Sequence, residues 1–323
     1  MKYLISKKDK TLKGRVKLTA SKSESNRVLI IQALCQEPFQ INNLAEAEDT
    51  KTLLKLLSSS KDILDVGPAG TTMRFLTAYL ANKENSEKII TGSERMLERP
   101  IAILTDSLNK LGAEISYLKK EGFPPLKIKG KKLTGNEISI DGSISSQYIT
   151  ALLLIAPTLP NGLNLQLTGK ITSRPYINMT LKMLEYFGVN ALWENNIIEI
   201  KPQSYHAKEY TIEGDWSSAS YWYTVAAFSD EVDFTLTGLN ENSLQGDSVI
   251  ATIMEEFGIK TNYLNNKIHL SKTNKTCNSF SFDFSDCPDI AQTVAVICSG
   301  LNIPAKLMGL ESLKIKETDR VQA

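Results

Sequence analysis

Two cations and three hydroxyl side chains lie within seven residues near the start of the chain, in the stretch Ser21–Arg27. A mostly apolar run, Val28–Leu34, follows at once and predicts a buried helix whose start the serines can cap. The start of a helix offers unpaired backbone N–H groups and a partial positive charge, to which Lys22 and Arg27 add two cations. The combination is suited to binding an anion such as phosphate. A capped helix with two solvated cations is the alternative, and short motifs alone do not exclude it.

This stretch resembles the opening motif, Ser-Lys-Ser-x-Ser-Asn-Arg, of the 5-enolpyruvylshikimate-3-phosphate synthase family. Five more stretches resemble motifs of the same family in the same order, and the likeness runs from about residue 15 to the last residue. These stretches are Ala69–Arg74, Arg95–Pro100, Ser145–Tyr148, Ser173–Tyr176 and Lys316–Arg320.

The resemblance implies an enzyme that transfers the enolpyruvyl group of phosphoenolpyruvate to the 5-hydroxyl of shikimate 3-phosphate. Phosphate is released, and the step belongs to the shikimate pathway of chorismate and aromatic amino-acid biosynthesis. An addition followed by an elimination needs a base for the hydroxyl, an acid for the methylene carbon, and cations for two phosphates and a carboxylate. Such a reaction requires no covalent enzyme intermediate, and we expect no metal and no cofactor.

The resemblance also assigns proton transfers to three residues. Asp289 would take the proton of the 5-hydroxyl, Glu317 would take part in proton transfer, and Lys22 would bridge both substrates and deliver a proton to the methylene carbon. From the residues alone, Asp289 lies at a predicted helix start, where an acidic side chain is commonly only stabilised by the dipole. Asp286 is the rival for the base and is better placed to cap that helix. Glu317 lies between two cations, which favour its ionised form and weaken it as an acid.

Ligand roles follow from the same resemblance. The residues expected to contact shikimate 3-phosphate are Lys22, Ser23, Arg27, Ser145, Ser146, Gln147, Ser173, Tyr176, Asp289 and Lys316. The residues expected to contact phosphoenolpyruvate are Lys22, Gly70, Arg99, Gln147 and Arg320.

Several of these residues also permit a structural interpretation. Ser23 can cap a helix, Gly70 can serve a turn, and Tyr176 beside a proline can pack. Arg74, one helical turn after Gly70, is expected to be structural and not a direct ligand. Arg95 can pair with a neighbouring glutamate on the surface.

Two alternative functions stay open at this point. An enolpyruvyl transferase acting on UDP-N-acetylglucosamine would share the fold, but it typically has Lys-Asn near the start and a cysteine on a mobile loop. Here Lys22 is followed by Ser23, and no cysteine lies near Arg95–Pro100. The second alternative is a non-catalytic anion-binding module, because the sequence stops three residues after Arg320 whereas the family continues, so we expect a chain truncated at its C-terminal end.

The elements that must position these residues follow a repeat of roughly 70 residues, and the chain holds between four and five such repeats. Each repeat has a nearly all-apolar helix that we expect to be buried, and a more charged helix that ends in glycine before a strand. Those terminal glycines are Gly112, Gly188 and Gly258, with spacings of 76 and 70 residues.

The repeats predict an α/β (α+β) protein with helices inside and sheets outside. The resemblance implies a two-domain inside-out α/β barrel of the enolpyruvyl transferase type, built of β-α-β-α-β-β repeats, with inner helices directed at a cleft between domains. We expect residues 21–213 to form the first domain, and residues 1–20 with 214–323 to form the second, incomplete at its C-terminal end. The Lys316–Arg320 stretch is expected to open a helix capped by Thr318 or Asp319.

The composition of the chain restricts the classes of partner that it is expected to bind. The chain has 323 residues, of which 42% are hydrophobic and 23% charged, and a formal net charge of +1. A net charge this close to zero produces no overall electrostatic field that would attract nucleic acid or a membrane surface. Any anion-binding site must therefore be a local concentration of positive charge. We expect a cytoplasmic monomer that acts on small molecules and binds neither nucleic acid nor membrane.

Overall fold

A computed structural model describes residues 9–143, 145–315 and 318–322. Taken over these residues, the chain forms two compact units, each described by itself below. The large unit is Ser21–Ile212 with Ile315–Thr318, and the small unit is Met1–Ala20, Glu213–Lys314 and Asp319–Ala323.

Ten α-helices lie in the described residues, together with short 3₁₀ turns. None of these helices is long and apolar enough to cross a membrane. In chain order they are α1 (Lys22–Leu34), α2 (Glu48–Leu57), α3 (Gly70–Ala81), α4 (Glu94–Leu97), α5 (Ala102–Lys110), α6 (Ser146–Ile155), α7 (Arg174–Tyr186), α8 (Trp216–Phe228), α9 (Ile250–Glu256) and α10 (Ala291–Gly300).

The strands are short, as expected for a repeat whose sheets each cover one helix layer. They are β1 (Thr11–Lys17), β2 (Ile41–Asn42), β3 (Ile63–Asp65), β4 (Ser86–Thr91), β5 (Glu114–Tyr117), β6 (Leu126–Gly130), β7 (Glu137–Asp141), β8 (Leu163–Thr168), β9 (Ala191–Glu194), β10 (Ile197–Ile200), β11 (Tyr210–Thr211), β12 (Glu231–Thr237), β13 (Ile259–Leu264), β14 (Lys267–Lys272), β15 (Phe280–Asp283) and β16 (Ala305–Met308).

Three four-stranded sheets repeat one topology. Their orders are β3-β4-β6-β5 and β7-β8-β10-β9 in the large unit, and β1-β12-β14-β13 in the small unit. In each sheet the first two strands are parallel and the other pairs are antiparallel. Partial repeats contribute α1, β2 and α2, with β2 paired to β11, and the parallel pair β15–β16 around α10. The described residues thus contain three complete repeats and parts of others.

One face of each sheet is buried against helices. Strand β8 has the alternation that this requires, with Leu163, Leu165 and Leu167 buried and the residues between them exposed. The parallel partner β7 joins it in register, so that Ile138 lies opposite Leu165. The period-two pattern in the sequence therefore fixes which face of the sheet packs on the helices.

The centre of the large unit consists of α1, α3 and α6, which contact one another. All residues of α3 except Tyr79 are buried, and all residues of α6 except Gln147. Because leucines such as Leu152 are fully buried there, truncating one to alanine is expected to cost about 2–5 kcal/mol. The helices predicted to be outside, such as α7, are amphipathic and bury one face only. In the small unit the inner helices α8 and α10 pack together.

The predicted glycine ends of the outer helices are confirmed. Gly112, Gly188 and Gly258 follow α5, α7 and α9 with φ of +104°, +84° and +75°. Glycine reaches this left-handed region without a Cβ penalty, so each helix can end in one residue and turn into the next strand.

Side chains cap two of the predicted motifs. Helix α1 begins at Lys22 with Ser21 as its cap, so it includes motif residues that precede the apolar run Val28–Leu34. In the turn formed by residues 318–322, Oδ1 of Asp319 accepts hydrogen bonds from the backbone N–H groups of Val321 and Gln322, which is the pattern of a helix cap. Residues 316 and 317 lie outside the described residues.

Candidate active site

Arg27 organises the first part of the candidate site, at the end of the large unit where α1 begins. Its side chain is buried, yet its donors are satisfied by four neighbours. Nε donates to the Thr180 hydroxyl at 2.9 Å, and Nη1 donates to the Ser23 carbonyl at 2.8 Å. Nη2 donates to the Thr150 hydroxyl at 3.3 Å and to the Tyr176 carbonyl at 3.2 Å. The guanidinium therefore ties α1 to both α6 and α7.

Burial has an electrostatic consequence for Arg27. Desolvation lowers the pKa of its guanidinium to about 10, against the opposing effects of Tyr176, Glu24 and Tyr210. That value keeps the side chain cationic at neutral pH. Phe75 adds a cation–π contact, with its ring centroid 5.8 Å from Cζ.

The predicted residues of α1 lie beside this network. Ser21, and not Ser23, caps the helix, because its hydroxyl accepts from the backbone N–H of Glu24. The capping interpretation of Ser23 is therefore wrong, and its side chain, like that of Lys22, is half-buried at the first turn. Glu24 is buried and accepts a hydrogen bond from the Tyr210 hydroxyl at 3.0 Å.

A second group lies at the start of α6. The exposed Ser145 caps the helix by accepting from the backbone N–H of Gln147, whereas Ser146 is buried. Nε2 of Gln147 donates to the Thr71 hydroxyl at 3.3 Å, so the first turns of α6 and α3 are joined. Ser173, just before α7, adopts a left-handed conformation with φ of +54° and is half-buried. The predicted residues of α1, α3, α6 and α7 are thus brought to one end of the large unit.

Arg99 lies directly against the first turn of α3. A Cβ atom on Gly70 would come within 2.4 Å of Nη1 of Arg99, so the guanidinium occupies the space that glycine leaves open. Arg99 is only 9% exposed. The predicted surface pairing is also confirmed, since Arg95 and Glu98 form a salt bridge of 3.1 Å.

The small unit holds the other described candidates. Oδ1 of Asp289 forms a salt bridge of 2.9 Å with Nη1 of Arg320, and both side chains are about one quarter exposed (27% and 26%). Asp289 lies in the 3₁₀ turn Pro288–Ile290 that leads into α10. Asp289 is predicted as the general base and Arg320 as a cation that binds phosphoenolpyruvate. The two side chains are therefore paired with each other. The predicted Lys316 and Glu317 lie outside the described residues.

Sequence reasoning missed several polar residues that hold the site. The hydroxyl groups of Thr150 and Thr180 accept hydrogen bonds from Arg27, and their two oxygen atoms lie 3.2 Å apart. Glu24 occupies the variable position x of the motif Ser-Lys-Ser-x-Ser-Asn-Arg. The available signal was a threonine inside the otherwise apolar run of α6. In the small unit, Glu213 accepts from the hydroxyl of Ser243 at 2.6 Å and from Nε1 of Trp216 at 3.0 Å.

Comparisons with known proteins decide the family. A family profile described as EPSP synthase (3-phosphoshikimate 1-carboxyvinyltransferase) matches residues 6–59 and 55–323. The chain belongs to the EPSP synthase family. It is similar to the 3-phosphoshikimate 1-carboxyvinyltransferase of Bacteroides fragilis, with 49% identity over 324 residues, covering 100% of this chain and 78% of the relative. The enzyme of that name from Haemophilus influenzae is 37% identical over 345 residues, covering 97% of this chain and 78% of the relative.

A solved structure supports the fold separately. The chain is similar to an EPSP synthase structure from Acinetobacter baumannii with a TM-score of 0.76 and 20% sequence identity, covering 97% of this chain and 77% of that chain. The predicted fold class, the inside-out α/β architecture of this family, is confirmed. The predicted reaction class is confirmed by family membership, and the comparisons do not favour the UDP-sugar alternative.

Proposed function

We propose a division of roles among the residues described above for a reaction that family membership establishes. As an EPSP synthase family member, the chain is a transferase of the shikimate pathway. It transfers the enolpyruvyl group of phosphoenolpyruvate to the 5-hydroxyl of shikimate 3-phosphate and releases phosphate. The observation that carries the division of roles is the Arg27 network, which joins the helices α1, α6 and α7.

Shikimate 3-phosphate is bound at the starts of α1, α6 and α7. A phosphate there meets backbone N–H groups at helix starts, short hydroxyl side chains and a buried cation. Arg27 donates to the backbone carbonyl groups of Ser23 and Tyr176, so the backbone that carries both residues is held in place. The proposed ligands are Lys22, Ser23, Arg27, Ser145, Ser146, Gln147, Ser173 and Tyr176, with Asp289 and Lys316.

Phosphoenolpyruvate is bound by Arg99, with Gly70 and Gln147 beside it. A guanidinium can bind a phosphate or carboxylate with two parallel hydrogen bonds, and its low exposure strengthens that interaction. Support comes from the closeness of Arg99 to Gly70 and from the hydrogen bond that joins Gln147 to Thr71 in the same first turn. Lys22 and Arg320 supply further cations for this substrate.

Asp289 is the proposed general base for the 5-hydroxyl, while Glu317 and Lys22 take part in proton transfer to the methylene carbon. Asp289 lies at the turn that leads into α10, where its carboxylate forms a salt bridge of 2.9 Å with Arg320.

Three further statements are part of the proposal. The chain is a monomer in the cytoplasm. Its functional domains are residues 21–213, and residues 1–20 with 214–323. The monomer is tested by sedimentation of the purified chain, and the location by fractionation of the cells that produce it.

The catalytic assignment is tested by phosphate release from phosphoenolpyruvate in the presence of shikimate 3-phosphate. Asp289→Ala is expected to lower turnover by about 10²–10⁴-fold, the usual contribution of a general base, while shikimate 3-phosphate still binds. Asp286→Ala is the matched control, because Asp286 is an exposed carboxylate three residues earlier. Normal turnover of Asp289→Ala, or a large loss only in Asp286→Ala, would refute the assignment. Turnover only with UDP-N-acetylglucosamine would refute the acceptor.

A further inference from the structure

The carbonyl group of Pro100, the residue after Arg99, is held by two buried side chains. The Tyr148 hydroxyl donates to it at 2.5 Å, and Nη2 of Arg74 donates to it at 3.4 Å. Arg74 and Tyr148 are 4% and 6% exposed. Neither side chain has been given a role in the reaction above, and arginine is seldom buried in proteins.

Arg74 makes further contacts that join the same elements. Its Nη1 donates to the Gly70 carbonyl at 3.1 Å and lies 3.7 Å from Sδ of Met96. Its Cζ atom lies 5.7 Å from the ring centroid of Tyr148. One guanidinium therefore connects the first turn of α3, the short helix α4 and the α6 residue that bonds Pro100.

These contacts hold the short connection between α4 and α5, in which Arg99 lies. They add to the backbone hydrogen bonds that Arg99 donates to the Met96 carbonyl and Ile101 donates to the Gly122 carbonyl. A guanidinium that must meet an anion with two hydrogen bonds tolerates little displacement. We expect loss of the contacts at Pro100 to shift the Arg99 side chain relative to Gly70.

We propose that Arg74 and Tyr148 are positioning residues that hold Arg99 in the orientation for phosphoenolpyruvate through the Pro100 carbonyl. The inference rests on the proposed role of Arg99. It predicts that the Tyr148 hydroxyl, which is not itself a ligand, contributes to binding of one substrate only.

The test uses Tyr148→Phe, which removes the hydroxyl and keeps the ring beside Arg74. Each substrate is measured alone by equilibrium dialysis, so that no turnover occurs. We expect the Kd of phosphoenolpyruvate to rise about 5- to 20-fold, the range for one buried hydrogen bond, while the Kd of shikimate 3-phosphate changes less than twofold. Tyr79→Phe is the matched control, because Tyr79 lies on α3 but is the one residue of that helix that is not buried, and it should change neither value.

A double-variant cycle separates positioning from general stability. In an Arg99→Gln background, Tyr148→Phe should have no further effect on phosphoenolpyruvate binding, because the group it positions is gone. Arg74→Lys should resemble Tyr148→Phe, because an ammonium cannot reach the Gly70 and Pro100 carbonyls with a planar fork.

Three results would overturn the inference. They are an unchanged Kd in Tyr148→Phe, equal losses for both substrates, and a full Tyr148→Phe effect in the Arg99→Gln background. If Arg99→Gln itself leaves phosphoenolpyruvate binding unchanged, the proposed role of Arg99 fails and the inference fails with it. A large effect of Arg99→Gln with a silent Tyr148→Phe overturns the inference alone.

Discussion

The guanidinium of Arg99, a proposed ligand, lies where a side chain at Gly70 would be. We expect Gly70→Ala to raise the Kd of phosphoenolpyruvate about tenfold, because the new Cβ would lie 2.4 Å from Nη1 of Arg99 and must displace the guanidinium. The Kd of shikimate 3-phosphate should stay within twofold, and dialysis of each substrate measures both values. Ala78→Gly is the control, since it costs the same helix about 1 kcal/mol far from Arg99. Equal weakening in both variants would mean that helix stability, and not the displaced cation, sets binding.

Residue roles were predictable where a motif lies in one stretch, and were not where partners come from distant parts of the chain. The Arg95–Glu98 pair could be predicted because its members are three residues apart. Thr180 could not be predicted as a partner of Arg27, since 153 residues separate them. The pairing of Asp289 with Arg320 was missed for the same physical reason, although both residues were candidates.

At the scale of elements, the sequence determines helices better than strand partners. The buried helices follow from their all-apolar composition, and the outer helix ends from glycines such as Gly188. The parallel pairing of β1 with β12 has no local signal, because Thr11 lies opposite Glu231 after more than two hundred intervening residues. Long-range parallel pairing depends on which helix layer both strands cover, and this is a property of the folded unit.

Glu213 gives a pH-dependent prediction for the element it holds, the start of α8. Desolvation raises the pKa of its carboxyl, although four hydrogen bonds, among them those from Ser243, Trp216 and Gln245, act in the opposite direction. The folded state then binds the proton more tightly than the unfolded state. The stabilising contribution is complete below the ordinary glutamate pKa of about 4.5 and is lost as the pH rises through the raised value.

The measurement is the free energy of unfolding in urea from pH 4.5 to 7. The difference between the unmodified chain and Glu213→Gln should fall with increasing pH, with a slope of at most about 1.4 kcal/mol per pH unit. A rising difference for Glu213→Gln would contradict the direction of the pKa shift.

At the scale of the whole molecule, the small unit is built from three separate segments of the chain, and β1 lies in the segment that precedes the large unit. Leu12 of β1 is 6% exposed in the core of the small unit, opposite Val232 of β12. Leu12→Ala removes buried methyl groups and should destabilise the small unit by about 2–4 kcal/mol. Because Leu12 belongs to the core of the small unit, the loss should be confined to that unit.

Amide hydrogen exchange distinguishes the two units in this variant. Protection of β12 and β14 should fall, whereas protection of α3 and α6 in the large unit should be retained, since the two sets of contacts are separate. Lys13→Ala is the matched control, because the Lys13 side chain is 59% exposed and its ion pair with Glu231 lies at the surface. Equal loss of protection in both units of Leu12→Ala would mean that the 323 residues unfold as one cooperative body, and the small unit would then have no stability of its own to lose.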